Sequence, residues 1–201
     1  MSATNAAIAS LQAKIWDGSL PLEIRLAASD CCTYDESESY LVQYPRLSYL
    51  SFLLPRVFAF FKSSLIDPEA TPYDAWFSFQ GVPLKWHYPL GLLYDLLAVV
   101  EPVDAEDAAA SKYPRATEDD NKDSEPLPFK LTIHYTEFPG DILVRMDPDE
   151  QRIFDSYING VKEADFIRNG NSRTVMSLSK EDTNSLWQAV MKREAVRISA
   201  A

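Results

Sequence analysis

The hydrophobic positions fall into two kinds of repeat. Leu20, Leu22, Ile24 and Leu26 alternate with Pro21, Glu23, Arg25 and Ala27, which predicts a half-buried strand with its proline near the start. Phe129, Leu131, Ile133 and Tyr135 alternate with Lys130, Thr132, His134 and Thr136, the cleanest strand pattern in the chain. A third strand is predicted over Trp76-Phe77-Ser78-Phe79-Gln80, ended by Gly81. Lys14-Ile15-Trp16 followed by Asp17-Gly18 predicts a hairpin into the first strand, because Asp-Gly is a strong two-residue turn signal.

Helical spacing governs the rest. Ile8, Leu11 and Ile15 suggest a short amphipathic helix. Leu47, Leu50, Leu54, Val57, Phe58 and Phe61 predict a helix buried on one face, with Pro55 expected to end or kink it. Leu90 to Val100 reads as a short buried helix opened by Pro89. Two further helices are predicted over Glu150 to Arg168 and over Lys180 to about Val196, separated by the Asn169-Gly170-Asn171 turn. Ser179 with Asp182 three residues later is a helix-start pattern for the second. Residues 28–39 are polar and read as a loop. The resulting order predicts an α+β protein. A ubiquitin-like β-grasp domain over residues 1–140 precedes a helical region over residues 141–201.

Residues 101–126 break the pattern. They hold nine acidic residues against three basic ones, with no strong periodicity, and are expected to form a disordered, solvated insertion. The whole chain of 201 residues carries a formal charge of −11, which argues against nucleic-acid binding as its function. No apolar run reaches the roughly 20 residues needed to span a membrane. The N-terminus lacks the features of a secretory signal, and the only cysteines, Cys31 and Cys32, are adjacent. A reducing cytoplasmic setting is the expected location.

Catalytic material is scarce. His87 and His134 are the only histidines, and both read as structural. There is no metal-ligand spacing, no phosphate-binding glycine loop and no nucleophile-elbow motif, so no cofactor is expected. On the helix from Glu150 to Arg168, an apolar stripe forms from Phe154, Tyr157, Ile158, Val161 and Ala164. Lys162 falls roughly 120° from the centre of that stripe, and is expected to face solvent. The residues alone make it one of nine lysines.

Several blocks resemble the autophagy-related protein 5 family. The longest is Trp76-Phe77, Gln80-Gly81, Pro83-Leu84-Lys85-Trp86-His87-Tyr88-Pro89, Gly91-Leu92-Leu93 and Asp95-Leu96-Leu97. Ile15-Trp16 with Gly18, Tyr44-Pro45-Arg46-Leu47-Ser48-Tyr49-Leu50, Leu131-Thr132-Ile133-His134 and Val161-Lys162-Glu163-Ala164-Asp165 agree with it. The likeness covers about residues 14–100 and 127–191. It implies two ubiquitin-like domains flanking a helical region, and a scaffold that is not an enzyme. It also implies an isopeptide bond from a lysine to the C-terminal glycine of autophagy-related protein 12, delivered by a conjugating enzyme.

The resemblance further implies that this conjugate binds the coiled-coil autophagy-related protein 16 and promotes transfer of another ubiquitin-like protein onto phosphatidylethanolamine, as a peripheral membrane factor at the phagophore assembly site. Lys162 matches the family's acceptor motif. An exposed amine is what attack on an enzyme-held thioester requires, and a lysine is ordinarily protonated at neutral pH, so activation is expected from the conjugating enzyme. Arg168 and Arg173 are candidate contacts for anionic lipid headgroups. Trp86 and Tyr88 are expected in the domain core. The family's second ubiquitin-like domain has no counterpart before Ala201, so the groove for the coiled-coil partner is expected to lack one wall. Two rival readings are an unconjugated ubiquitin-like adaptor and a small hydrolase using His87 or His134.

Overall fold

A computed structural model describes residues 3–32, 37–98 and 127–192. The expected acidic insertion at 101–126 and the end of the last predicted helix lie outside those residues. The chain divides into two compact units, Met1–Val144 and Arg145–Ala201.

The first unit is built on a mixed five-stranded sheet in the order β2-β1-β5-β3-β4. Helix α1 (Ala3–Asp17) leads into β1 (Ser19–Leu26), and β2 (Tyr40–Pro45) follows. Helix α2 spans Leu54–Phe61, β3 Trp76–Phe79, β4 Val82–Pro83, α3 Leu90–Leu97 and β5 Phe129–His134. β1 pairs antiparallel with β2 from Ser19↔Pro45 to Ile24↔Tyr40, and parallel with β5 from Leu22↔Phe129 to Leu26↔Ile133. An N-terminal hairpin whose first strand is joined in parallel by the last is the β-grasp arrangement, so the fold is α+β and ubiquitin-like.

The alternating patterns decide which face is covered. Leu22, Ile24, Leu131 and Ile133 are buried beside Leu50, Leu53, Val57, Phe61 and Leu90. Aromatic contacts join the layers: Phe60 of α2 meets Tyr40 of β2 at 5.1 Å, and Tyr94 of α3 meets Phe129 of β5 at 5.3 Å. Asp30, only 1% exposed, locks the end of β1 to the end of β5. Its carboxylate accepts the Tyr135 N–H at 2.6 Å and the Thr136 hydroxyl.

Four expectations need correction. Lys14, Ile15 and Trp16 are the last turn of α1, not a strand. The Asp-Gly turn would need positive φ, and Gly18 is not among the positive-φ residues; it lets β1 start close under Ile15 and Arg46. The hairpin partner of β1 is β2, which follows the polar stretch and was hidden by its Tyr-Pro-Arg ending. Pro55 opens α2 instead of ending or kinking it, because a missing N–H costs nothing in a first turn; of the helix expected over Leu47 to Phe61, Leu54–Phe61 is α2, with short 3-10 turns at Leu50–Leu53 before it and Lys62–Ser64 after it. Trp86 and Tyr88 are half-exposed and outside the core, whereas Leu90 and Leu93 are within it. The two-residue Gln80-Gly81 turn joins β3 to β4 with both φ values positive, as a tight hairpin requires.

Arg46, Gly91 and Asp95, which lie in the blocks that carry the resemblance, have a packing explanation. The Arg46 guanidinium reaches both oxygens of Asp95 at 2.7 and 2.5 Å and lies 5.8 Å over the Tyr94 ring. A Cβ on Gly91 would sit 3.0 Å from the Arg46 side chain and 3.1 Å from its carbonyl oxygen. Gly91 therefore lets α3 close on the β2 end, where its N–H donates to the Arg46 carbonyl at 2.7 Å.

The second unit holds three helices: α4 (Gln151–Asn169), α5 (Arg173–Met176) and α6 (Lys180–Lys192). Gly170 closes α4 in the left-handed conformation, with its N–H on the Phe166 carbonyl at 2.8 Å. Ser179 caps α6 by accepting the Asp182 N–H at 3.0 Å. Phe154 and Tyr157 of α4 pack on the Trp187 ring of α6 at 5.5 and 5.6 Å.

Candidate functional site

The 19-residue α4 presents the residues that matched the acceptor motif. Ile153 is buried, and Phe154, Ile158, Val161 and Asp165 are half-buried. The packed face of α4 therefore includes Asp165, whereas Ala164, expected in the apolar stripe, is exposed. Lys162 lies at the margin of that face and is half-buried, less open than the expected solvent-facing position. Its ammonium holds no hydrogen bond or ion pair among the described residues. Glu163 beside it is exposed.

The Asp165 carboxylate has partners other than the lysine. One oxygen accepts the Asn169 side-chain amide at 2.7 Å, and the other accepts the Val175 N–H of α5 at 3.3 Å. The Asn171 side chain accepts the Arg173 N–H at 3.1 Å, which shapes the turn between the two helices. This carboxylate link was missed in the sequence; its signal was an acid placed on the apolar side of a helix. Arg168 and Arg173 are both exposed, at opposite ends of that turn. Phe166, Ile167 and Met176 are exposed as well, Ile167 at 83%.

The histidines have other settings. His134 projects from the sheet face opposite the core, stacked on Trp76 with ring centroids 4.0 Å apart. Its Nε2 lies 2.8 Å from Ser78 Oγ. This serine–histidine contact is not built for nucleophilic catalysis. Ser78 is 3% exposed within β3, and the one nearby buried acid, Asp30, has its oxygens on Tyr135 and Thr136. Burial pushes the His134 pKa down, against an opposing pull from Asp30 and Glu137. His87 sits between Trp86 and Tyr88, and its pKa is lowered by burial and by Lys85. Among the described residues no three His, Cys, Asp or Glu side chains are grouped to hold a metal ion. Among the same residues, no helix is long and apolar enough to cross a membrane.

Comparison with known proteins bears on both units. Residues 15–135 match the family described as autophagy protein ATG5, UblA domain. Residues 150–196 match autophagy protein ATG5, alpha-helical bundle region. Autophagy protein 5 of Aspergillus oryzae is 50% identical over 191 residues, which cover 95% of this chain and 58% of that protein. Autophagy protein 5 of Neosartorya fischeri is 52% identical over 188 residues, 92% of this chain and 56% of that one. The crystal structure of Kluyveromyces marxianus Atg5 superposes with a TM-score of 0.69 at 24% identity, over 92% of this chain and 64% of that chain. That likeness carries the fold alone. The chain thus spans between half and two thirds of the length of these relatives.

Proposed function

Because the chain belongs to the autophagy protein 5 family, we propose that it is the acceptor of a ubiquitin-like modifier, autophagy-related protein 12, through Nζ of Lys162. The observation that carries this reading is the Val161-Lys162-Glu163-Ala164-Asp165 run on α4, inside the segment matched to the alpha-helical bundle region, with the lysine amine unpaired among the described residues. A conjugating enzyme holds the modifier as a thioester, and an unpaired amine on the margin of a helix is open to it.

In this reading the chain is a non-catalytic scaffold. The conjugate binds the coiled-coil autophagy-related protein 16. It then acts as a ligase-like factor, promoting lipidation of a second ubiquitin-like protein with phosphatidylethanolamine during autophagosome formation. It works in the cytoplasm and at the phagophore assembly site as a peripheral membrane protein. Arg168 and Arg173 are the proposed headgroup contacts, at about 1 kcal/mol each near an anionic surface.

The test is reconstitution. The chain is mixed with autophagy-related protein 12, its activating and conjugating enzymes and ATP, and run on a reducing gel beside the Lys162→Arg variant. A thiol-resistant band of higher mass, absent from the variant, is the expected result. No such band from folded protein would instead favour the adaptor reading, in which the chain binds partners unconjugated.

A further inference from the structure

Residues three apart on a helix share a face, so Lys162 and Asp165 are placed to form an ion pair. They do not form one. Asp165 accepts Asn169 Nδ2 at 2.7 Å and the Val175 N–H at 3.3 Å, and Lys162 is left without a partner among the described residues. The other charged neighbours do not replace it. Glu163 is next in the chain, a spacing at which helical side chains diverge. Arg173 on α5 has the same charge as the lysine. Lys180, Glu181, Asp182 and Lys192 of α6 hold no ion pair or hydrogen bond with it among the described residues.

We propose that Asp165 is a positioning residue for the Lys162 amine: by giving its carboxylate to Asn169 and to α5, it keeps from the amine the one acid that helix geometry would pair with it. This inference rests on the reading of Lys162 as the acceptor. The chemistry explains why the pairing matters. An ammonium has no lone pair, and a carboxylate beside it stabilises that form and fixes the side chain. For acyl transfer the ammonium first gives one proton to solvent. The nitrogen lone pair then forms the C–N bond to the thioester carbonyl carbon, and the C–S bond breaks. The sulfur leaves as the thiolate of the conjugating enzyme, and a second proton leaves nitrogen to yield the neutral amide. A carboxylate in contact with the ammonium opposes the first step; one engaged by Asn169 and α5 opposes it less.

The test needs no enzyme. The purified chain is treated with trace acetic anhydride from neutral to alkaline pH. Acetylation of Lys162 is read by mass spectrometry relative to Lys180, which is exposed on α6. Asn169→Ala removes one donor that holds Asp165. It should lower Lys162 acetylation about twofold at neutral pH, the size of a helical ion pair. The deficit should vanish at alkaline pH, and Lys180 should not change. Adding Asp165→Asn to that variant should restore the rate, since a neutral side chain cannot hold the ammonium. The proposal is overturned by an unchanged Asn169→Ala variant, by a deficit that ignores pH, or by a double variant that stays slow, the mark of lost α5 docking alone. Thermal melting of each variant confirms that the fold is kept. The acceptor reading fails separately, if Lys162→Arg still takes the modifier in the reconstituted reaction.

Discussion

Asp30 and Tyr135 are neighbours in space with opposite balances. The Asp30 carboxylate receives a backbone N–H and a hydroxyl inside the protein. Asp30→Ala would leave the buried Tyr135 N–H without its acceptor, at a cost of about 1–3 kcal/mol, read as a lower urea midpoint. The Tyr135 hydroxyl is buried with no hydrogen-bond partner among the described residues, and burial together with Asp30 raises its pKa. Tyr135→Phe should therefore be neutral or stabilising in the same titration. The histidines set a pH dependence. Both His87 and His134 have pKa values lowered from 6.5, so the unfolded chain binds their protons more readily. Their contribution is complete above about 6.5 and is lost as pH falls through the folded values. Glu23 titrates in a separate window. Burial pulls its pKa up, but hydrogen bonds from Arg25 and Ser39 and the nearby positive charges outweigh that, so its contribution is present above 4.5 and fades below. Denaturation midpoints across this range should fall in two stages, the upper one reduced by His134→Gln.

At the scale of elements, two glycines make opposite predictions. Gly91 sits where a methyl group would press on the Arg46 backbone, so Gly91→Ala should cost about 1–3 kcal/mol through strain between α3 and the β2 end. Gly160 lies inside α4, and a methyl group there would meet nothing within 4 Å, so Gly160→Ala should stabilise that helix by roughly 0.5–1 kcal/mol. Urea unfolding of the two variants tests both. The same scale shows what the sequence disclosed. β1, β5, α4 and α6 were legible from a clear period, whereas β3 and α3 showed as short apolar runs bounded by Gly81 and Pro89. β2 was not legible, since its alternation of Tyr40, Val42 and Tyr44 runs into Pro45, a poor strand signal, and Arg46, whose contacts lie in α3. The α1 boundary was misread because Asp-Gly serves both hairpins and helix ends. Lys162 had no physical mark of its own; its resemblance to a family motif singled it out. The Asp165 link to Val175 depends on the path of the chain through Gly170, which periodicity does not report.

For the molecule as a whole, the net charge of −11 would keep it from an anionic membrane unless local charge prevails. Arg168 and Arg173, exposed on the same unit as Phe166, Ile167 and Met176, are the proposed local exception. Flotation with vesicles rich in anionic lipid should recover the chain at low salt and less of it at high salt. Arg168→Glu with Arg173→Glu should abolish recovery, and uncharged vesicles should recover little of either protein.

The central position of β5 has a consequence for synthesis on the ribosome. β5 lies between β1 and β3, yet it is made about a hundred residues after β1. While translation proceeds, the β1–β2 hairpin can form from neighbouring residues, but Leu22, Ile24 and Leu26 have no parallel neighbour until Phe129 to Ile133 emerge. Long-range parallel pairing is slow to nucleate, and an unclosed sheet exposes both an apolar face and a bare strand edge. Nascent chains stopped short of β5 should thus remain clients of chaperones and proteases, however complete their hairpin. The first unit becomes a folded body only when its last strand is threaded into the middle.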